Sequence, residues 1–432
     1  MGKHLDVRAR TTRNRFGRHH PARRRPLDRP VTTTAPVWEC PFHHTDGLEF
    51  DPLLKRLLTE APIARVRLPH GEGEAWLATR YEDVKVVTTD RRFSRAAGIG
   101  RDLPRMTPAP IAQAESINLM DPPEHNRLRR LVAQGFTNRQ VERMRPATQR
   151  IVDGYFDEME EHGAPADLAQ FLSARLPLTT ICEVLEIPAQ DRDRLRGWAV
   201  AMMRMGPGSR EGQEEAKAGL RAYFTALTAE RRAHPGEDLI SALATARDGD
   251  DLLDADELAV MAMVLLVTGH DTSTYQLSNI TYTLLTHPEQ LAKLRARPES
   301  LPQALEELLR FIPFRQGPGI ARVATEDVEL GGVPIRAGEA VHVSYLTANR
   351  DPAVYEHPDE LDLDRTAGPV NMAFGHGQHR CLGSHLALME LQVAIGTLLR
   401  RFPGLRLAVD PSGLDWNSGS IWRFPRTLPV AW

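Results

Sequence analysis

The chain has 432 residues, 41% hydrophobic and 26% charged, with a formal net charge of -3; it is long enough to bury a large core, and its near balance of charge excludes whole-chain attraction to nucleic acid or an anionic surface. Three widely separated cysteines, Cys40, Cys182 and Cys381, exclude a disulfide framework and point to a reducing, cytoplasmic home. The longest unbroken apolar run, Leu258 to Val267, is about half of a membrane span, so no membrane partner is expected.

Residues 1–37 hold nine arginines and few large apolar side chains, a composition that cannot pack a core and reads as a disordered basic tail. Pro26 to Pro36 supply no apolar segment behind Arg23 to Arg25, which argues against a twin-arginine export signal. The folded part is expected over residues 38–432 as a single domain. Val66 and Leu68, then Trp76 and Ala78, alternate on either side of His70 to Gly73 and predict a hairpin, with a helix after it from Tyr81 to Val87. Phe93 to Leu119 is rich in glycine, proline and polar residues without a period, and so long a loop inside a domain tends to be functional.

Asp121, Pro122, Pro123 and Glu124 read as a helix start, with Asp121 as the cap. His125 and Arg129 then share a face, while Arg127, Arg129 and Arg130 also fit a solvated basic surface. Helices are predicted over Gln140 to Glu161, Leu168 to Leu185, Asp191 to Met203 and Glu211 to Arg232. Between the last two, Gly206, Pro207 and Gly208 form a break where a lid would hinge. Trp198, Met202, Met203 and Met205 read as core in the first place.

Asp254 to Leu285 is the longest helical stretch. It is interrupted by Thr268, Gly269, His270, Asp271, Thr272 and Ser273, where a glycine costs about 1 kcal/mol and hydroxyls compete for backbone carbonyls, so a locally opened helix is expected. Leu301 to Phe311 is a further helix with Glu307 and Arg310 three apart, an ordinary pair on its own. Pro313 to Ile320 is irregular. Val328 and Leu330, Val333 and Ile335, then Val341, Val343 and Tyr345 alternate as strands of a small sheet.

Phe374, Gly375, His376, Gly377, Gln378, His379, Arg380, Cys381, Leu382 and Gly383 precede a final apolar-periodic helix. Cys381 sits just before its first turn, where unpaired N–H groups, His379 and Arg380 favour a thiolate below the free value of about 8.5. Gly375 and Gly377 carry no Cβ and permit close approach of a bulky group, and Phe374 would shield the sulfur. Three readings compete: an inert buried thiol; a zinc site using His376, His379, His385 and Cys381, although the spacing matches no common zinc pattern; and an iron–thiolate bond.

The ten-residue pattern resembles the haem-thiolate loop of the cytochrome P450 monooxygenases, and four ordered motifs extend the resemblance from about Trp38 to Trp432. It implies a mainly α fold with a smaller β region, a haem b cofactor and Cys381 as axial ligand. By the same resemblance His125, Arg129 and Arg322 meet the haem propionates, while Phe374, Gly375, His379 and Gly383 belong to the cofactor-binding loop. Asp271 and Thr272 match the acid and alcohol that handle protons for bound dioxygen; Thr268 departs from the alanine or glycine usual at its place. Glu307 and Arg310 are expected to form a buried network with Arg365. Ala97, on the loop over the haem, and Thr268, Gly269, Gly317, Ile320 and Ile421 are the expected pocket residues, with Ser418 to Ile421 as a turn that dips into the pocket and Trp422 close by.

The implied activity is oxidation of a small molecule, such as a secondary metabolite, with O2 and two electrons. No flavin or iron–sulfur domain is recognised, so a ferredoxin and its reductase are the expected donors. Two alternatives stand beside monooxygenation. Leu309 to Leu330 resembles, more weakly, bacterial relatives that couple phenolic or cyclic-dipeptide substrates; and a haem-binding sensor without turnover is the third reading, against which Asp271 and Thr272 argue.

Overall fold

A computed structural model describes residues 36–39, 47–112, 114–202, 204, 209–236, 238–248, 251–417 and 419–432. Residues 1–35 of the basic tail, Cys40, Met203, Met205, the Gly206 to Gly208 break and Ser418 lie outside these residues, while Val37, expected in the tail, pairs with Arg65 in the first strand. Strand β1 (Val37–Glu39) is followed by helix α1 (Pro52–Glu60), then by β2 (Ile63–Arg67) and β3 (Ala75–Ala78). β2 and β3 form the expected hairpin, with Ile63 opposite Ala78 and Val66 opposite Ala75. Helix α2 (Tyr81–Thr89) and β4 (Phe93–Ser94) lead into the long loop, which has 3-10 turns at Ala96–Gly98 and Ile117–Leu119.

Next come α3 (Glu124–Ala133), α4 (Asn138–His162), β5 (Ala166–Asp167), α5 (Leu176–Val184), α6 (Ala189–Met202), α7 (Ser209–Ala233), α8 (Leu239–Thr245) and the pair β6 (Arg247–Asp248) and β7 (Asp251–Leu252). After α9 (Ala255–Thr286), α10 (Pro288–Ala296) and α11 (Leu301–Phe311), the chain makes β8 (Arg322–Ala324), β9 (Val328–Leu330), β10 (Val333–Ile335), β11 (Ala340–Val343) and α12 (Tyr345–Ala348). Helix α13 (Ser384–Arg401) and strands β12 (Arg406–Leu407) and β13 (Pro429–Ala431) close it. One sheet runs β1-β2-β3-β11-β8-β4. Among the described residues no helix is long and apolar enough to cross a membrane.

Helix α9 is the axis of the helical layer. Asp254 and Glu257 close a reciprocal capping box at its start, and Leu258 to Val267 are buried apart from half-buried Val264, as a helix apolar on all sides must be. It packs on α5, α7 and α13, and α13 packs in turn on α4 and α11. Glu390, in the first half of α13, lies by Ser273 in the middle of α9.

Four local expectations are corrected. Asp121 does not cap α3, which starts after Pro123 without a side-chain cap. Its carboxylate instead accepts from the Ser94 hydroxyl and from the amides of Arg95 and Ala96. The predicted helix Leu168 to Leu185 is divided by a π turn at Ala169–Ser173 before α5 begins. Tyr345 starts α12 rather than ending a strand, because Ser344 caps that turn by accepting from the Thr347 amide. Helix α9 stays closed through Gly269: the Thr268 hydroxyl donates to the Val264 carbonyl at 2.7 Å and the Thr272 hydroxyl to the Thr268 carbonyl at 3.1 Å. Those hydroxyls satisfy themselves on carbonyls already in the ladder, which removes the reason to open it.

Candidate active site

The site begins with side chains that are open and enclosed at once. Cys381 exposes its surface, yet burial pushes its thiol up, against the pull of the Gly383 amide and the Arg380 and Arg129 charges. The expected lowering is therefore reversed: desolvation disfavours the charged form more than the helix end favours it. Arg95 behaves alike, partly open but pushed down to about 9 by burial and by Arg322. Side chains that combine these properties face an internal cavity.

Helix α9 likewise presents exposed Thr268 and half-open Gly269 and Thr272 in a helix otherwise largely buried. Asp271 points elsewhere and is 1% exposed. Its Oδ1 is 3.0 Å from Nδ1 of His270, without the alignment of a hydrogen bond, and both carboxylate oxygens lack a donor.

The loop before α13 is held by its backbone. The Cys381 amide donates to the Phe374 carbonyl at 2.8 Å and the Gly375 amide to the Met372 carbonyl at 2.9 Å. Gly375 lies at φ +74°, which favours glycine, and Gly377 at +70°. The two differ in surroundings: a Cβ on Gly377 would strike the Thr88 carbonyl, so this glycine serves packing on α2 rather than room for a ligand. Gly383 is the opposite case, with no atom within 4 Å of the Cβ position.

A group of cations lines one wall. Arg322 is 2% exposed and neither terminal nitrogen has a partner; Arg95 Nε and His379 Nε2 are likewise unpartnered. The His125 ring packs on His379, and burial lowers both imidazoles, His379 far below its ordinary range. Arg129 donates to the Arg380 carbonyl at 2.7 Å. Buried donors of this number without acceptors call for an anionic guest. A planar macrocycle carrying two carboxylates fits: the donors suit its carboxylates, the space at Gly383 suits its ring, and the Cys381 sulfur is open to its metal. Among the described residues no three His, Cys, Asp or Glu side chains converge as a metal-ion cluster, which leaves the zinc alternative without a ligand set.

Behind the loop, Glu307 receives Arg310 at 2.6 and 2.8 Å and Arg365 at 3.1 Å. Arg310 also donates to the carbonyls of Asn349, Pro358 and Glu360, so the pair ties α11 to the segment ahead of Phe374.

The expected pocket residues separate into two groups. Thr268 and the half-buried Ile320 are open, and Ala97 is exposed with its amide on the Ser94 hydroxyl. Gly269 instead lets Ile181 of α5 approach, Gly317 abuts Met106, and Ile421 is buried with its carbonyl accepting from the Gln316 amide. Reading the sequence missed Arg95 and Arg315; no local pattern marks either, since each acquires its place only when distant segments meet.

Comparison with known proteins gives the class. The family model described as Cytochrome P450 matches residues 210–411. Nocardicin C N-oxygenase of Nocardia uniformis subsp. tsuyamanensis is 50% identical over 393 residues, 91% of this chain and 98% of that protein. Biflaviolin synthase CYP158A1 of Streptomyces coelicolor is 42% identical over 397 residues, covering 92% and 97%. The crystal structure of cytochrome P450mel 107F1, described as having biaryl coupling reactivity, is 64% identical with a TM-score of 0.90, over 92% of this chain and 100% of that one. The chain belongs to the cytochrome P450 family. It is a monooxygenase of the bacterial type found in secondary-metabolite pathways, its cofactor is a haem with a thiolate ligand, and it uses O2 and redox partners. That class sets aside the sensor alternative.

Proposed function

We propose that residues 38–432 form a single P450 domain in which Cys381 ligates the haem iron, and that it oxidises a small secondary-metabolite substrate with electrons from a separate ferredoxin and ferredoxin reductase. The observation that carries this reading is the juxtaposition of an open Cys381 thiol, free space at Gly383 and unpartnered donors on Arg95, Arg322 and His379. When bound, haem would supply dioxygen activation, which a thiolate ligand promotes. As a metal ligand the Cys381 sulfur would be held as the thiolate, although burial pushes the free thiol up.

The chain's own residues do the rest. Arg322, Arg95, Arg129, His125 and His379 bind and orient the carboxylates, and the Glu307, Arg310 and Arg365 network fixes the loop that presents the sulfur. The Thr272 hydroxyl, at rest on the Thr268 carbonyl, holds a proton beside the cavity while α9 excludes bulk water; Asp271 is buried away from it and would take part only after its side chain turns. A cytoplasmic home follows from the cysteine usage.

The test is the reduced, carbon monoxide-treated protein. Wild type is expected to show the red-displaced band of thiolate ligation and Cys381→Ser to lose it with the activity; a serine variant that keeps both overturns the reading. Thr272→Ala is expected to keep the band while product formed per electron falls.

A second reading is oxidative coupling of two aromatic molecules at the same site. It is favoured by the 64% identity to a P450 with biaryl coupling reactivity and by the likeness to a biflaviolin synthase. Reaction under heavy-oxygen-labelled dioxygen separates the two: hydroxylation puts label in the product and coupling does not.

A further inference from the structure

One cation of the cavity is left without a counter-charge once the cofactor's two carboxylates are assigned. Arg315 lies on the irregular segment after α11. Its backbone bridges that of Trp422, the neighbouring Gln316 amide donates to the Ile421 carbonyl at 2.8 Å, and the Arg423 amide to the Phe314 carbonyl at 2.8 Å. The residue is therefore pinned between two chain segments. Its guanidinium carbon stands 4.9 Å over the Trp422 ring, and that ring stacks on Phe314 with centroids 5.2 Å apart and planes 4° from parallel.

Among the described residues no carboxylate pairs with Arg315, and its Nε has no hydrogen-bond partner. It is half-buried yet pushed down to about 10 by desolvation, the combination also seen at Arg95. It is close enough to Arg95 and His342 to disfavour their protonation, which sets it on the same wall as Arg322. Two carboxylates together with Asp121, which lies by Arg95, answer the three charges of Arg322, Arg95 and Arg129, and the neutral histidines add none. Nothing of the cofactor is then left for Arg315. An enclosed cation with no anion is costly to the folded protein unless a guest supplies one.

We infer that Arg315 is the specificity-determining cation of the pocket: it selects a planar aromatic substrate bearing an anionic oxygen, a carboxylate or an ionised phenol. This rests on the proposed function and narrows its substrate class. The half-buried Phe314 ring, backed by the buried Trp422, supplies apolar surface for the ring system, and the guanidinium fork supplies directed donors for its oxygens.

The test is equilibrium dialysis of the haem-loaded protein with paired probes: 2-naphthoate against 2-naphthamide for the carboxylate source, and 4-nitrophenolate against 4-nitroanisole for the phenolate. Wild type is expected to bind at least one anion about tenfold or more tighter than its neutral counterpart, the range of a charge-assisted hydrogen bond. The pair that shows the preference names the source. Arg315→Gln should abolish the preference and leave neutral binding within about twofold, while Arg315→Lys, the deciding variant if the glutamine protein fails to fold, should reduce it.

The inference is overturned if wild type prefers neither anion, if either variant keeps the full preference, or if Arg315→Gln weakens both members of a pair equally. Faster haem transfer from Arg315→Gln to apomyoglobin would also overturn it by assigning the guanidinium to the cofactor. Dialysis does not depend on the thiolate band, so wild type that lacks the band but prefers the anion sinks the proposed function and keeps this inference.

Discussion

The imidazole of His379 lies against that of His125, ring centroids 4.3 Å apart and planes tilted by 59°. Burial keeps both rings uncharged at neutral pH, and a neutral ring has a single N–H to give. With Nε2 of His379 unpartnered in the protein, that nitrogen is available to a carboxylate of the cofactor. A hydrogen bond to a charged group is worth about 1.5–3 kcal/mol. His379→Phe should therefore speed haem transfer to apomyoglobin by about tenfold or more; an unchanged transfer rate would remove His379 from the carboxylate set.

Two glycines of the same loop should fail in different ways. Alanine at Gly377 meets the Thr88 carbonyl and a φ of +70°, so Gly377→Ala should lower the thermal stability of the apoprotein. Alanine at Gly383 meets no protein atom within 4 Å, so Gly383→Ala should leave apoprotein stability unchanged and weaken haem binding. Calorimetry of the apoproteins beside haem titration checks both; equal destabilisation of the two would refute the assignment of the space at Gly383.

Glu307 and Arg310 are each about 2% exposed at the side chain, and Arg365 is 13% exposed. Breaking a buried pair strands a charge and costs about 3–5 kcal/mol. Glu307→Gln should lower the urea midpoint accordingly, whereas Lys55→Ala, which breaks the exposed pair with Asp359, should change stability by less than about 1 kcal/mol.

Glu390, on α13, is 2% exposed, and burial pushes its carboxyl up to about 8 although Thr180 and Ser273 offer hydrogen bonds. The folded value is above the unfolded one, so the folded state holds the extra proton and its contribution is lost as pH rises toward 8. Between pH 6.5 and 8 wild type should lose stability relative to Glu390→Gln with a slope of up to about 1.4 kcal/mol per pH unit. Parallel curves from denaturant titrations across that window would contradict it.

What the sequence discloses depends on how local the cause is. The loop from Phe374 to Gly383 is legible because its ten residues act as one backbone unit, and α9 because its apolar run is long. The hairpin around His70 and the pair at Glu307 and Arg310 are read for the same reason. Asp121 misleads because a carboxylate before two prolines looks like a cap, while its partners Ser94, Arg95 and Ala96 are more than twenty residues upstream. Gly377 is expected to give a ligand room, and only the fold shows α2 behind it. Arg95 and Arg315 sit in unpatterned segments and gain meaning from each other and from Arg322. Helix α8, seven residues long, is too short to establish a period.

The carboxylate of Asp121 has a mechanical consequence. By gripping Ser94, Arg95 and Ala96 it fastens the start of the loop to the chain just ahead of His125 and Arg129. A guest that pushes Ala96 outward must break those bonds or drag the beginning of α3 along, so a bulky molecule entering beside the loop would be felt as a tug on the backbone that carries His125 and Arg129.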